Sequence, residues 1–206
     1  MQSRRQLLTG LGTAALGLLA GSSVARTTSP VAASGADQGP FPNGKLTGHD
    51  GKTYKFYDDL IRGKVVSINM MYAVCSGICP VATANLLQVQ KALGAKVGKD
   101  IHMYSITLLP EHDTRAVLNE YVKAHGVQPG WTFLTGAKAD VELLRRKLGF
   151  AFLDPVADAD KSQHTGMVRI GNEPLNRWSM APALGKPKSI AQSILSIEGK
   201  GVRLPA

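Results

Sequence analysis

The chain has 206 residues, of which 44% are hydrophobic and 6% aromatic, and it carries a formal net charge of +9. This length suits one domain and a leader, and the hydrophobic fraction is sufficient for one ordinary core made mostly of aliphatic side chains. Lysine and arginine are scattered through helical segments, and no aromatic platform accompanies them. We therefore expect no nucleic acid among the partners, and we expect acidic proteins or the membrane surface to attract the charge.

Residues 1–25 are typical of a twin-arginine signal peptide. Arg4 and Arg5 precede an uncharged segment, residues 9–20, that is rich in Leu, Ala and Gly. A spanning helix needs about 20 mostly apolar residues, and glycines and serines interrupt this run, so a permanent anchor is the weaker alternative. Cleavage is predicted after Ala25, with Ala33 as a second position. The sequence predicts a periplasmic protein exported by the twin-arginine machinery, with membrane association only through an uncleaved leader.

A flexible tether and one α/β domain are predicted after the leader. Residues 26–43 are rich in Ser, Pro, Gly and Ala, which favours a tether, and the domain is expected to span residues 44–206. The hydrophobic pattern predicts strands at 64–70, 101–108 and 132–134, helices at 81–93, 114–125 and 138–148, a hairpin of strands 166–170 and 174–178 around a turn at 171–173, and a helix at 189–197. This order predicts a central mixed sheet flanked by helices, with a C-terminal β-hairpin and a final helix.

The only two cysteines, Cys75 and Cys79, lie where the first predicted strand runs into the first predicted helix. Sites in open α/β sheets form where strands end and helices begin. A disulfide across so short a loop would remove little entropy from the unfolded chain, so a purely structural bridge is the weakest interpretation. Pro80 places Cys79 near a helix start, where backbone N–H groups and the helix dipole favour a thiolate. The pair is therefore either a redox couple or two metal ligands.

A metal site at this pair would need a further ligand. Cu(I) accepts thiolate and imidazole ligands without requiring four of them, whereas zinc normally requires four. Four of the five histidines are expected to be solvated or structural: His49, His102, His112 and His125. The fifth, His164, stands directly before a predicted strand that could lie beside the strand leading to Cys75. A loop at that edge could reach the cysteines, and the redox and metal interpretations both remain open.

Together these motifs resemble the Sco/SenC family of thioredoxin-fold copper proteins. The resemblance runs from about Gly44 to Ile197, and it rests on Lys64-Val65-Val66, Tyr72, Cys75-x-x-x-Cys79-Pro80, Pro110-Glu111-His112-Asp113-Thr114 and His164 before a strand. It implies a thioredoxin-like fold and one copper ion, Cu(I) or Cu(II), bound by Cys75, Cys79 and His164. It also implies a role in assembling the Cu(A) centre of cytochrome c oxidase, as a copper donor or a thiol reductant. The implied partner is a respiratory oxidase subunit or another exported cuproprotein.

Two acidic residues of the family pattern are absent from this sequence. The family usually has Pro-Asp-x between its cysteines, where this chain has Ser76-Gly77-Ile78, and Leu109 replaces the usual Asp before Pro110. Asp113 and Thr114 remain. Fewer negative charges near the site should weaken its attraction for a cationic metal or partner.

A thiol:disulfide oxidoreductase is the main alternative to a copper chaperone. Cys75 would be the attacking thiol and Cys79 the resolving thiol, and the substrate would be the copper-ligand cysteines of a client. The three intervening residues differ from the two of thioredoxin motifs, and Gln163-His164-Thr165-Gly166 lacks the proline that commonly faces the cysteines in such reductases. A peroxidase is a remote third, because no arginine lies near Cys75 in the sequence.

Overall fold

The computed structural model describes residues 40–74, 77–160 and 166–200. Seven strands occur in these ranges: β1 (Lys45–Gly48), β2 (Thr53–Lys55), β3 (Val65–Met71), β4 (Ile101–Thr107), β5 (Trp131–Gly136), β6 (Met167–Asn172) and β7 (Arg177–Pro182). The α-helices are α1 (Ile78–Leu93), α2 (Arg115–Ala124), α3 (Lys138–Lys147), α4 (Pro155–Ala159) and α5 (Pro187–Glu198). A π-helical segment, Phe56–Ile61, and a short 3₁₀ segment, Gly94–Lys96, complete the described elements.

The strands form one mixed sheet in the order β2-β1-β5-β4-β3-β6-β7. Strands β3, β4 and β5 are parallel, while β1 is antiparallel to β5 and β6 is antiparallel to β3. The β6–β7 hairpin closes one edge. This confirms the predicted mixed sheet with a parallel centre and an antiparallel C-terminal hairpin.

Most of the predicted elements occur where the hydrophobic pattern placed them. Strands β3, β4 and β5 and helices α2, α3 and α5 differ from prediction only at their ends. Thr114 caps α2, since its hydroxyl accepts a hydrogen bond from the Val117 N–H at 3.4 Å. Helix α1 begins at Ile78 rather than Val81, with Gly77 as its N-cap. Cys79 and Pro80 therefore lie inside its first turn.

The predicted position of the hairpin turn is wrong. Strand β6 continues to Asn172 and β7 begins at Arg177, so the turn comprises residues 173–176 rather than 171–173. Gly171 is needed for cross-strand packing, because a Cβ there would lie 2.1 Å from the ring of its partner Trp178. Asn176 takes the left-handed turn conformation with φ of 46°, which asparagine adopts more readily than most residues.

The packed domain begins before Gly44, so the part of the predicted tether at residues 41–43 needs correction. The Phe41 side chain is 6% exposed, and its ring meets that of Trp178 edge-on at a centroid distance of 4.7 Å. The Asn43 Oδ1 atom accepts a hydrogen bond from the Tyr57 N–H at 3.0 Å. The β1–β2 hairpin and α4 are further elements that the sequence pattern did not predict.

Buried side chains form one cluster on each face of the sheet. The cluster with α1, α2 and α5 contains Met71, Cys79 and Leu86, whereas the cluster with the π-helical segment and α3 contains Met70 and Leu144. Met70 and Met71 point into different clusters because successive residues of a strand face opposite sides of the sheet. Across the described ranges, no helix has the length and apolar character needed to cross a bilayer.

Candidate metal centre

The elements that carry the predicted site residues meet at the edge of the sheet that is formed by the ends of its central strands. Parallel strands β3 and β4 both end at this edge, and α1 starts there after a short loop. Strand β6 is antiparallel to β3, with Val168 opposite Asn69, so β6 begins where β3 ends. The prediction that the strand after His164 lies beside the strand before Cys75 is confirmed.

Cys79 is the one predicted ligand within the described residues. It lies in the first turn of α1 and is 1% exposed, in the same buried cluster as Met71. Backbone N–H groups of a first helical turn point towards the N-terminus, where the positive end of the helix dipole stabilises negative charge. The helix N-terminus therefore favours the thiolate form of Cys79, whereas burial in the apolar cluster favours the neutral thiol. Cys75 and His164 fall at positions outside the described residues.

The other four histidines lie in separate surroundings and form no cluster at this edge. His49 Nδ1 accepts a hydrogen bond from the Phe133 N–H at 3.1 Å, and the ring of His125 stacks on Tyr121 at 3.9 Å between centroids. His112 is exposed, and His102 lies near the start of β4, at the opposite end of that strand. No group of three or more His, Cys, Asp or Glu with metal-binding geometry occurs in residues 40–74, 77–160 and 166–200.

Asp113 makes buried contacts near the cysteine motif that the sequence did not reveal. Its side chain is 0% exposed, and its Oδ2 atom accepts hydrogen bonds from the Ala73 N–H at 2.9 Å and the Thr107 hydroxyl at 2.5 Å. Thr107 ends β4, and Ala73 follows the end of β3 shortly before Cys75. Asp113 thus ties the loop after β4 to the segment that leads into the cysteine motif.

A buried ion pair fixes the segment that precedes residues 161–165. Arg145 of α3 is 0% exposed and donates from Nη1 and Nη2 to Asp158 of α4 at 2.7 and 2.5 Å. The Asp158 carboxylate also accepts from the Phe152 N–H at 2.7 Å, and Glu142 accepts from Arg145 at 2.8 Å. Hydrogen bonds to both acids raise the pKa of Arg145 above its ordinary value. One sequence signal was available, because Arg145 lies on the apolar stripe of Val141, Leu144 and Leu148.

Apolar side chains flank the cysteine motif at the surface. Val74, directly before Cys75, is 66% exposed, and Val81, two residues after Cys79, is 57% exposed. Exposed apolar groups beside a site offer contact area to a protein partner.

Comparison with known proteins identifies related sequences. The sequence profile of the SCO1/SenC family matches residues 36–197. The SCO1 protein homolog of Bacillus subtilis (strain 168) is 28% identical over 95 residues, which is 45% of this chain and 48% of the relative. The matched stretch therefore spans about half the length of that relative.

Solved structures with the same fold include several Sco proteins. ScoI of Bradyrhizobium japonicum with copper bound has a TM-score of 0.58 and 22% identity, covering 74% of this chain and 96% of ScoI. Yeast Sco1 with copper bound has a TM-score of 0.59 and 22% identity, covering 77% of this chain and 91% of Sco1. BsSco has a TM-score of 0.62 and 21% identity, covering 76% of this chain and 91% of BsSco. It is described as a member of the Sco family of cytochrome c oxidase assembly proteins with a disulfide switch. These similarities confirm the predicted thioredoxin-like fold.

Proposed function

Because this chain belongs to the SCO1/SenC family, we propose that it is an exported copper chaperone that carries one copper ion on Cys75, Cys79 and His164. The observation that carries the proposal is the pairing of β6 with β3. It brings the strand that follows His164 beside the strand that precedes Cys75. Cys79 lies in the first turn of α1, and this helix begins at the same edge.

The chemistry of this ligand set suits copper as cargo. Two thiolates and one imidazole are soft and borderline donors that Cu(I) accepts with three ligands, whereas structural zinc sites are closed by four. The helix N-terminus beside Cys79 supports the thiolate form that a metal requires. The copper-bound structures of ScoI from Bradyrhizobium japonicum and of yeast Sco1 support the same cargo.

The recipient is proposed to be a respiratory oxidase subunit or another exported cuproprotein. BsSco, which shares the fold, is described as belonging to a family of cytochrome c oxidase assembly proteins. Copper would pass by ligand exchange, in which donor atoms of the recipient replace the chaperone ligands one at a time. Exposed Val74 and Val81 beside the cysteine motif provide apolar area for such a protein contact.

The proposed cellular route begins with twin-arginine export. Residues 1–25 would form the signal, the part of residues 26–43 before Phe41 the tether, and the rest of the chain the copper-binding domain in the periplasm. Proteins exported by this route fold before crossing the membrane, so Cys75 and Cys79 would arrive reduced and able to bind metal. Membrane association would involve only an uncleaved leader.

A thiol:disulfide oxidoreductase is the second proposed function. The burial of Cys79, at 1% exposed, suits a resolving thiol that attacks only after a mixed disulfide has formed. The disulfide switch described for BsSco supports redox activity on this fold. Because copper binding requires reduced thiols, oxidation of Cys75 and Cys79 would also switch off the metal site.

A copper titration tests the proposed function. The reduced full chain, Cys75→Ala, Cys79→Ala and His164→Ala are each titrated with Cu(I) against a competing chelator. One tightly held copper in the parent chain, lost or greatly weakened in all three variants, is the expected result. A His164→Ala chain that holds copper as tightly as the parent would remove the histidine from the ligand set. A parent chain that holds no copper while its dithiol reduces a small disulfide would establish the oxidoreductase instead.

A further inference from the structure

The carboxylate of Asp113 is buried but only half satisfied. Its Oδ2 atom accepts two hydrogen bonds, whereas its Oδ1 atom is buried without a hydrogen-bond partner. Within the described ranges, the only other buried side-chain atom in this condition is Nε of Arg169. No lysine or arginine of the described residues forms an ion pair with Asp113. Burying a carboxylate with one oxygen unpartnered costs free energy of folding.

The loop that holds Asp113 is itself fixed. The Asp113 N–H donates to the Leu109 carbonyl at 2.8 Å, and the Thr107 hydroxyl, which donates to Oδ2, accepts from the Leu109 N–H at 2.9 Å. Thr107 also pairs with Met71 at the end of the parallel β3–β4 ladder. Thr107 at the end of β4 therefore holds the carboxylate, while the backbone of Asp113 is fixed by a hydrogen bond within its own loop.

The second hydrogen bond to Oδ2 comes from the chain that leaves β3. The Met71 carbonyl accepts from the Leu108 N–H at 2.8 Å, and Ala73 then donates its N–H to Asp113 at 2.9 Å. Two residues later the chain reaches Cys75. The Asp113 carboxylate thus fixes a peptide unit immediately before the cysteine motif.

We propose that Asp113 is a positioning residue for the copper site, which it serves by holding the Ala73 peptide and thereby the start of the Cys75–Cys79 segment. This inference rests on the proposed function. Metal ligands must be held in a narrow geometry by groups that do not themselves bind the metal. Asp113 does not contact the metal and acts through the backbone.

A purely structural role makes a different prediction, and Ser105 provides the matched control. Ser105 is 1% exposed, lies on β4 two residues before Thr107 and pairs with Asn69 of β3. Its Oγ atom donates to Asn69 Oδ1 at 2.7 Å and accepts from Trp131 Nε1 at 2.8 Å. Ser105→Ala and Asp113→Ala each remove two buried hydrogen bonds, but only Asp113 holds the segment before Cys75.

The experiment compares copper affinity with fold stability in the full chain. Parent, Asp113→Ala, Asp113→Asn and Ser105→Ala are reduced, titrated with Cu(I) against a chelator, and unfolded in urea without metal. Asp113→Ala should weaken copper binding on the order of 10- to 100-fold, as changes to supporting groups of metal sites commonly do. Ser105→Ala should lower the urea midpoint and leave copper affinity at the parent value. Asp113→Asn should retain much of the parent copper affinity, because its amide oxygen can still accept hydrogen bonds from the Ala73 N–H and the Thr107 hydroxyl.

The outcomes separate this inference from the proposed function. Parental copper affinity in Asp113→Ala, or an equal loss in Ser105→Ala, would overturn the positioning role while leaving the chaperone intact. A parent chain that binds no copper would overturn the proposed function, and the positioning role with it. If Asp113→Ala does not fold, Thr107→Val removes the hydroxyl that holds Oδ2. That variant should also weaken copper binding, and unchanged affinity there would count against the proposal.

Discussion

Asp158 and Asp113 are both buried carboxylates, 7% and 0% exposed, but they differ in the groups that surround them. Asp158 receives two guanidinium hydrogen bonds from Arg145 and one from the Phe152 N–H. Asp113 receives one hydroxyl and one backbone N–H, both on Oδ2, and Oδ1 receives none. A paired and saturated carboxylate holds two helices together. A half-satisfied one stands at the edge where the proposed copper site would form.

The difference matters because the two arrangements should respond differently to the same substitution. Removing one member of a buried ion pair leaves the other charge without compensation, which typically costs about 3–5 kcal/mol. Removing the charge from a carboxylate that has no cationic partner leaves no such charge behind. Asp→Asn at each position therefore tests whether pairing, rather than burial alone, decides the contribution to stability.

Asp158→Asn should produce the largest loss. Arg145 would keep Glu142 but lose its other acid, so we expect the free energy of unfolding to fall by about 3 kcal/mol. Urea denaturation of the reduced chain measures it. A loss below about 1 kcal/mol would show that Glu142 alone compensates Arg145, and the contrast between the two buried acids would disappear.

Asp113→Asn should cost much less, about 1 kcal/mol or below, because the amide oxygen can still accept the two hydrogen bonds that Oδ2 accepts now. The same urea titration measures it, beside Asp158→Asn. If both substitutions destabilise the chain equally, burial rather than pairing governs the contribution of each acid.

Much of the fold was predictable because it depends on regular patterns. The β-branched run that forms β3 and the helical spacing of α1 and α5 were sufficient to predict a mixed sheet with helices. The predicted neighbour relation between the strand after His164 and β3 also holds. Hydrophobic periodicity reports which face of an element is buried and so predicts the type of the element, whereas the order of the strands in the sheet depends on tertiary contacts.

The buried polar contacts could not be predicted in the same way. Arg145 lies on the apolar stripe of α3, but the run Arg145-Arg146-Lys147 is as sequence typical of a solvated helix end, and the stripe alone does not name a partner for this fully buried side chain. Its partner Asp158 lies on α4, a helix of five residues that is too short to give a periodic signal. Asp113 was noted as part of a motif, but its contact with Ala73 joins residues forty positions apart. Such contacts depend on tertiary structure.

His102 extends the comparison to cationic groups. Burial, and then the charge of Lys64, hold the pKa of His102 below its ordinary value, against weaker effects of the Lys99 backbone and Asp100. The unfolded chain therefore takes up a proton at a higher pH than the folded chain does. Stability should be complete above about pH 6.5 and should decline as pH falls through the lower folded-state pKa.

The free energy of unfolding, measured at several pH values between about pH 7.5 and pH 5.5, tests the contribution of His102. Parent and His102→Gln are compared, and the variant should show a shallower decline. An identical slope in both chains would mean that His102 does not contribute to the acid sensitivity, and that burial without a paired acid has little effect at this end of β4.

The exposed pair Glu120–Lys123 provides the lower limit of the series. The two groups lie 3.1 Å apart on α2, and their side chains are 76% and 65% exposed. Water already solvates both charges, so Glu120→Ala should change the free energy of unfolding by no more than about 0.5 kcal/mol. Urea denaturation at low and high salt measures it. If this loss matched that of Asp158→Asn, removal from water would not set the contribution of a charged hydrogen bond to stability. Any difference in stability loss between Asp158→Asn and Asp113→Asn would then need a cause other than the burial of a charged pair.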